Sequence, residues 1–440
     1  MVSTPPPGPA DAGRARMSVQ VRHVLDSVPD VGVEPPDWES TGQVDHLHRR
    51  DVVLVRDADA ARVQARLGGR FADEEDDDPS AGARGRAARA RRLPGFRRLR
   101  QTRGVADALD IADRSFGRGV ATPDHVLWVT PRDFCPAHEP EVPVAGVVGP
   151  LPARAPARQG VGGQQGTGGQ QGTRAQPTPG TSVRVSVVDT GWWSPAAEQH
   201  AWLAGVTGDE EDVYDAEGRI RSYAGHGTFA AGVVRSVAPA CTLRVEGVVH
   251  TAGAWFESDV VRQLDEALAW TPDIISLQAG ATTRGNLPLL AFEVFAQRLR
   301  AHKGTVLLAA AGNDASVRPY WPAASPWAVA VGALTADGSA AADYTNAGPW
   351  VDVSAVGDDH VNAFPTGTYL TTEPKSPAGQ LREFTGLARW SGTSFAAPLV
   401  AGMVAARMTR TGVKAPRALH DLLEQAMADA IPGVGPAARL

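Results

Sequence analysis

Cysteine is scarce in this sequence: the 440 residues contain two, Cys135 and Cys241. One disulfide is arithmetically possible, but a fold held together by several disulfides is excluded. The chain also lacks any run of about eighteen uncharged apolar residues, so no transmembrane helix is predicted. Residues 1–30 contain no apolar stretch of the length that a signal peptide needs. These absences predict a cytoplasmic protein without a membrane partner.

An excess of one charge sign is also missing, because 43 basic and 49 acidic residues leave a net charge of −6. This balance does not call for nucleic acid or an anionic membrane as partner. An acidic run, 73–78, precedes a segment with nine arginines between Arg84 and Arg103. That segment could bind nucleic acid electrostatically, but it contains one aromatic residue, Phe96. We favour two mutually neutralising, solvated segments and do not expect a nucleic-acid partner.

The clearest domain boundary is a Gly/Gln-rich segment, 151–180, in which one hexad occurs twice between Gly162 and Thr173. This composition buries no apolar surface and predicts a flexible linker. A chain of this length and 43% hydrophobic content accommodates about two domains. We therefore predict a largely disordered start, a small α+β domain, the linker, a large domain and a tail, with bounds 1–45, 46–150, 151–180, 181–432 and 433–440.

Both predicted domains show strand and helix signals. In the small domain, short strands at Asp51–Val55 and His125–Val129 flank two helical segments and the charged insertion. In the large domain, apolar strands such as Val183–Val188, Ile274–Leu277 and Thr305–Ala311 alternate with helices. This alternation predicts an α/β fold with a mostly parallel sheet covered by helices on both faces. Reactive groups are then expected at the carboxyl ends of the strands.

Four short segments of the large domain contain residues suited to nucleophilic catalysis: Val188–Gly191, Gly225–Thr228, Ala311–Asp314 and Gly392–Pro398. A serine hydroxyl needs an imidazole to accept its proton and a carboxylate to orient that imidazole. The tetrahedral intermediate also needs preset hydrogen-bond donors. The segments offer one residue for each role.

Each of these residues has a plainer interpretation on its own. Ser394 could be a helix N-cap, and His226 a loop or core histidine. Asp189 could form a turn, and Asn313 could end a strand. The order Asp, His, Asn, Ser with the surrounding D-T-G, H-G-T, A-A-G-N and G-T-S-F-A-A-P motifs is far more specific. Over about residues 181–432 the sequence resembles the subtilisin-like serine proteases, the subtilase family.

The resemblance implies a subtilisin-like fold and a serine endopeptidase that acts on polypeptides through an acyl-enzyme. It assigns Ser394 as nucleophile, His226 as general base and then acid, and Asp189 as the group that orients His226. The side chain of Asn313 and the backbone N–H of Ser394 would form the oxyanion hole. No cofactor is required for this chemistry, and the oligomeric state stays open.

Substrate-binding segments are carried over from the same resemblance. The segment Ser276, Leu277 and Gln278 would pair with substrate as an added strand and form one wall of the main specificity pocket. The segment Ala310, Ala311 and Gly312 would form the other wall. Gln278 stands where the family usually has glycine, so it would narrow the pocket or hydrogen-bond the substrate.

Many family members contain structural calcium, and the acidic run 209–212 with Asp215 supplies oxygen ligands of the appropriate kind. A calcium site is therefore a hypothesis, alongside the simpler interpretation of solvated carboxylates. The small N-terminal domain could be a propeptide or a retained regulatory or adaptor domain. A catalytically silent binding protein is the rival function, against which the complete set of catalytic residues argues.

Overall fold

The computed structural model describes residues 21–72, 93–128, 138–146, 149–150, 182–247, 253–372 and 379–440. The predicted linker 151–180, most of the charged insertion and Cys135 lie outside the described residues.

Elements are numbered in chain order. The N-terminal part contains helices α1 (21–27), α2 (Trp38–Thr41), α3 (Ala60–Leu67) and α4 (Val105–Phe116), and strands β1 (Val31–Glu34), β2 (His46–Arg56), β3 (Arg70–Phe71), β4 (Phe96–Arg100) and β5 (Ala121–Trp128).

The C-terminal part follows with a longer series of elements. Its strands are β6 (Arg184–Asp189), β7 (Thr207–Gly208), β8 (Thr242–Gly247), β9 (Ala254–Phe256), β10 (Ile274–Leu277), β11 (Val306–Ala310), β12 (Val329–Leu334), β13 (Val353–Val356), β14 (His360–Leu370), β15 (Leu381–Trp390) and β16 (Ala437–Ala438). Its helices are α5 (Ala196–Gln199), α6 (His226–Val237), α7 (Glu257–Ala269), α8 (Leu290–Leu299), α9 (Thr393–Thr411) and α10 (Ala415–Ala428).

Eight parallel strands form the central sheet, in the order β16-β13-β12-β11-β10-β6-β8-β7. Successive residues of a strand point to opposite faces, and Val187 and Val188 of β6 accordingly enter two separate apolar cores. Helices α6, α9 and α10 cover one face, and α7 and α8 cover the other. The predicted α/β architecture with a parallel sheet is confirmed.

The N-terminal sheet has the order β3-β4-β2-β5-β9, with β1 paired to β2. Helices α3 and α4 pack on one of its faces, against Val53 and Val55. Its other face contributes Leu54, Phe96 and Leu127 to the core that contains α7 and α8. Strand β9, which lies between β8 and α7 in the chain, completes the sheet as its last strand. The two parts are therefore joined in two ways: they share an apolar core, and β9 of the C-terminal part is a strand of the N-terminal sheet.

The predicted disorder of residues 1–45 is wrong for residues 21–45. Val21 and Val24 of α1 are buried, together with Val28 directly after the helix and Trp38 of α2. They pack with Val126 and Trp128 of β5 and with Phe256 of β9. Burial against distant strands stabilises this short segment, whose local sequence is rich in Pro and Asp.

Strands β14 and β15 form an antiparallel hairpin that is separate from the central sheet. The hairpin occupies the long insertion between β13 and the Ser394 motif, and it ends at Trp390, after which Ser391 leads into that motif. Among the residues that the structure describes, no helix combines the length and the apolar character needed to cross a bilayer.

Candidate active site

Asp189 and His226 meet at the carboxyl end of β6. Asp189 is the last residue of that strand, and His226 is the first residue of α6. The Nδ1 atom of His226 lies 2.8 Å from both carboxylate oxygens of Asp189. Both residues are fully buried, with 0% of their surface exposed. The carboxylate therefore fixes the tautomer that carries a proton on Nδ1 and leaves Nε2 as the free acceptor.

Close backbone packing maintains this geometry. The backbone N–H of Thr190 donates to Asp189 Oδ1 at 2.6 Å, and Thr190 Oγ1 accepts from the N–H of Gly227 at 3.1 Å. A Cβ at position 227 would lie 2.4 Å from the carbonyl oxygen of Gly191. The glycine after His226 is thus required for α6 to approach the end of β6.

Ser394 lies in the first turn of α9, which begins at Thr393. Its Oγ and the Nε2 of His226 are both buried, and neither has a hydrogen-bond partner among the described residues. The Nε2–Oγ hydrogen bond of a catalytic pair is therefore not formed in this state. The His226 ring lies 5.0 Å from the ring of Phe395, the residue after Ser394, and packs edge-on against Trp390 at 5.2 Å. Unpaired buried polar atoms in a folded protein require an explanation, and catalytic hydrogen bonds often tighten only with substrate.

Asn313 is oriented by the residue before Ser394. The backbone N–H of Thr393 donates to Asn313 Oδ1 at 2.8 Å, and Thr393 Oγ1 accepts from the N–H of Gly312 at 3.1 Å. Because the Oδ1 atom is held in this way, the Nδ2 group of the same amide faces the opposite direction. Sequence reasoning missed this positioning role of Thr393, although the residue lies inside the G-T-S motif.

Glu211 is a buried carboxyl next to the Asp189–His226 pair. Its Oε2 accepts from the N–H of Gly225 at 3.0 Å, and it also hydrogen-bonds with Thr190. Burial raises the pKa of Glu211 to about 8, with a smaller contribution from the negative charge of Asp189. The raised pKa favours the protonated form of Glu211 beside the Asp189–His226 pair.

The acidic run 209–212 does not fit the calcium hypothesis. Asp209 accepts from the N–H of Gly247, Glu210 accepts from Ser194, and Glu211 lies in the active site. Asp212 pairs with Arg221, and Asp215 pairs with Arg219. Across the described ranges, no group of three or more His, Cys, Asp or Glu side chains is placed to hold a metal ion. Each carboxylate of the run has its own protein partner, so we assign no metal to it.

The predicted substrate-pairing segment requires a correction. Ser276 and Leu277 cannot accept an added strand, because they pair with β6 on one side and with β11 on the other. Gln278 is also buried. In the orientation that satisfies both ends of its amide, the oxygen accepts from Ser276 Oγ at 2.6 Å and the nitrogen donates to the carbonyls of Ser276 and Val188 at 2.9 and 3.0 Å. The side chain thus serves the sheet and does not reach toward a substrate.

After β10 the chain leaves the central sheet, and at Gly280 it pairs with the end of β5. The N–H of Gly280 donates to the carbonyl of Trp128 at 3.1 Å, and the N–H of Trp128 donates back at 3.0 Å. On its other side, β5 pairs with β9 through Leu127 and Trp255. A strand from the N-terminal sheet therefore lies between β9 and Gly280. The second predicted segment, Ala310 to Gly312, continues from β11 directly to Asn313.

Comparison with known proteins gives a family match over most of the C-terminal part. The model of the subtilase family matches residues 180–436. Thermitase of Thermoactinomyces vulgaris is 30% identical over 51% of this chain and 74% of its own length. Subtilisin E of Bacillus subtilis is 26% identical over 56% of this chain and 60% of its own. An intracellular serine protease of Paenibacillus polymyxa is 27% identical over 52% of this chain and 67% of its own.

These matches agree with the geometry at the carboxyl end of β6 and at the start of α9. The match covers more than half of the chain and includes Asp189, His226, Asn313 and Ser394. The chain belongs to the subtilase family and is a subtilisin-like serine endopeptidase.

Proposed function

We propose that Ser394, His226 and Asp189 form the catalytic triad of this endopeptidase. Ser394 Oγ attacks the substrate carbonyl carbon while its proton passes to Nε2 of His226, and Asp189 stabilises the resulting imidazolium. His226 then gives the proton to the leaving amine as the peptide C–N bond breaks. Water hydrolyses the acyl-enzyme by the same transfers and releases the acid product and free Ser394.

The oxyanion of each tetrahedral intermediate would be bound by two donors. These are the Nδ2 group of Asn313 and the backbone N–H of Ser394 at the start of α9, where the helix dipole also favours negative charge. The single observation that carries the assignment is the pairing of His226 Nδ1 with Asp189, which leaves Nε2 and Ser394 Oγ both buried and unpartnered in the described part of the chain.

A fluorophosphonate probe tests this assignment directly, because it modifies only a serine that is activated by a neighbouring base. We expect labelling of the intact chain, at Ser394. Labelling should disappear in Ser394→Ala and persist in Ser339→Ala, a control that changes an exposed turn serine bonded to Asp337. Labelling that survives in Ser394→Ala would place the nucleophile elsewhere.

We further propose that the N-terminal part inhibits the enzyme in cis by competing with extended polypeptide substrates, which slows turnover without abolishing it and leaves Ser394 open to a small probe. Its strand β5 pairs with β9 and Gly280, where an extended substrate would otherwise add its backbone. This contact favours an inhibitory segment over an independent adaptor domain. A cytoplasmic location stays a prediction, since the relatives include proteases named intracellular and extracellular.

A buried histidine supports the docking of β5 on the C-terminal part. His125 Nδ1 lies 3.1 Å from Glu257 Oε2, and its Nε2 accepts from the N–H of Arg284 at 3.2 Å. A proton on Nε2 would turn this acceptor into a donor that faces another donor. Burial lowers the pKa of His125 well below its ordinary value, and the nearby His46 and His48 lower it further. The docked state therefore contains the neutral imidazole.

This arrangement predicts that docking weakens in acid. If His125 is exposed on undocking, it takes up a proton below its ordinary pKa of about 6.5, so falling pH favours the undocked state. Burial raises the pKa of Glu257 well above its ordinary value, which gives the opposite dependence. The pH dependence of docking is therefore compared in the double variant Ser394→Ala, Glu257→Gln, which lacks both the nucleophile and the Glu257 carboxyl. There, protection of the β9 amides from hydrogen exchange should fall about tenfold between about pH 7.5 and 5.5, after correction for intrinsic rates. The same loss with His125→Gln added would contradict the role of His125.

A further inference from the structure

A short segment of the chain, residues 138–141, lies against the end of β15. Glu141 forms an antiparallel bridge with Arg389, with N–H···O distances of 2.9 and 2.7 Å. Trp390 Nε1 donates to the carbonyl of His138 at 2.7 Å. Continuing this antiparallel register places Glu139 opposite Ser391, shortly before Ser394 in the chain. The segment therefore runs beside the residues that lead into the proposed nucleophile.

This position defines the leaving-group side of the cleft. The chain pairs with Gly280 at Trp128, on the side of the predicted specificity pocket, and pairs with Arg389 at Glu141. Ser394 comes shortly after Arg389 in the chain, so the contact at Glu141 is the one beside the proposed nucleophile. A polypeptide that runs from amino to carboxyl end in the same direction has its acyl part at Gly280 and its leaving part along β15.

The side chain of Glu139 fills a polar pocket of the β14–β15 hairpin. It is 1% exposed. Its Oε1 accepts from the N–H of Thr372 at 2.7 Å, from Thr372 Oγ1 at 3.1 Å and from Tyr369 Oη at 3.3 Å. Its Oε2 is buried and has no hydrogen-bond partner among the described residues. The hairpin thus directs several donors at one side-chain oxygen.

The donor set discriminates between side chains. A glutamine could present its oxygen to the same donors, but its amide N–H groups would then lie buried at the position of Oε2, without an acceptor in the described surroundings. A lysine would place its ammonium group, which can only donate hydrogen bonds, against the donors of the pocket. An aspartate is one methylene shorter than the side chain that fits. Hydrogen bonds from several donors to a carboxylate are also stronger than those to a neutral amide.

We propose that this pocket is a specificity site on the leaving-group side, which selects substrates with a glutamate after the scissile bond. Glu139 occupies it in the inhibited chain as an internal substitute for that residue. The Tyr369 hydroxyl and both donors of Thr372 determine the preference. This inference rests on the proposed function, because it takes Ser394 as the point of cleavage.

The test uses the full chain with Glu139→Ala, which vacates the pocket, and fluorogenic peptides that carry Glu, Gln or Lys at each of the three positions after the cleaved bond. At one of these positions, kcat/KM for Glu should exceed that for Gln by about tenfold and that for Lys by about a hundredfold. Adding Tyr369→Phe and Thr372→Val removes both side-chain donors and keeps the Thr372 N–H. The Glu preference over Gln should then fall to about threefold or less, while kcat/KM for the Gln peptide stays within about twofold. Tyr214→Phe is the matched control, since its hydroxyl binds the hairpin at the Thr366 carbonyl, outside the pocket.

Fluorophosphonate labelling of the same variants separates this inference from the proposed function. Two results would overturn the specificity site alone. Either Ser394 is labelled but no glutamate preference is found, or the full preference survives the double substitution in a folded chain. Absence of labelling at Ser394 in every variant overturns the triad assignment instead.

Discussion

Ser394→Ala should lower kcat by about 10⁶-fold, which corresponds to about 8 kcal/mol of transition-state stabilisation. The residue supplies the atom that forms the acyl-enzyme, so nothing else in the site replaces it. His226→Ala should cost about as much, because its Nε2, which has no hydrogen-bond partner among the described residues, is the proposed proton acceptor for Ser394. Losses of this order occur in subtilisin, a relative of this chain.

The double variant provides the sharper test. Residues that act as one unit are non-additive, so Ser394→Ala with His226→Ala should be no slower than either single variant within about threefold. Asp189→Asn should cost about 10⁴-fold, because it favours the wrong tautomer of His226 and leaves the buried packing intact. Steady-state kinetics on one peptide measures all four proteins. Additive losses for Ser394 and His226 would show that they do not act on the same proton.

Asn313→Ala should lower kcat by about 10² to 10³-fold, or about 3 to 4 kcal/mol, with KM changed by less than about threefold. The donor at Nδ2 stabilises charge that develops only in the transition state, so substrate binding is nearly unaffected. Asn313→Asp keeps an oxygen for the N–H of Thr393 and removes the donor. It should therefore be as slow as Asn313→Ala while retaining the geometry of the Gly312–Thr393 contact.

Substitutions of Thr393 distinguish the positioning of Asn313 from direct stabilisation of the transition state. Thr393→Ser keeps the hydroxyl that accepts from Gly312 and should retain most of kcat, whereas Thr393→Val leaves this buried N–H unpaired. If Asn313→Ala raises KM and leaves kcat unchanged, the amide binds the ground state and is not part of an oxyanion hole.

The central sheet was predictable because its strands are continuous apolar runs. Val183–Val188 and Thr305–Ala311 differ from β6 and β11 by no more than one residue at each end. Their burial on both faces makes local sequence and tertiary environment agree. The motifs at the ends of these two strands located Asp189 and Asn313 for the same reason, whereas the motifs of His226 and Ser394 lie at the starts of α6 and α9.

Other features depend on contacts between distant segments. Residues 21–45 are ordered by Trp128 and Phe256, which no local pattern reveals. The pairing of Gly280 with Trp128 was not predicted, because only strand pairing shows where β10 stops being covered on both sides. The pocket around Glu139 combines Tyr369 and Thr372 with a segment more than two hundred residues earlier in the chain.

A crystal structure of the fluorophosphonate adduct of the intact chain tests the triad and the oxyanion hole together. The account predicts a covalent bond from Ser394 Oγ to phosphorus, with one phosphonyl oxygen within about 3 Å of Asn313 Nδ2 and of the Ser394 N–H. Nε2 of His226 should then hydrogen-bond to the oxygen that has become attached to phosphorus. An adduct on another side chain, or an oxygen that points away from Asn313 with His226 turned from Asp189, would contradict it.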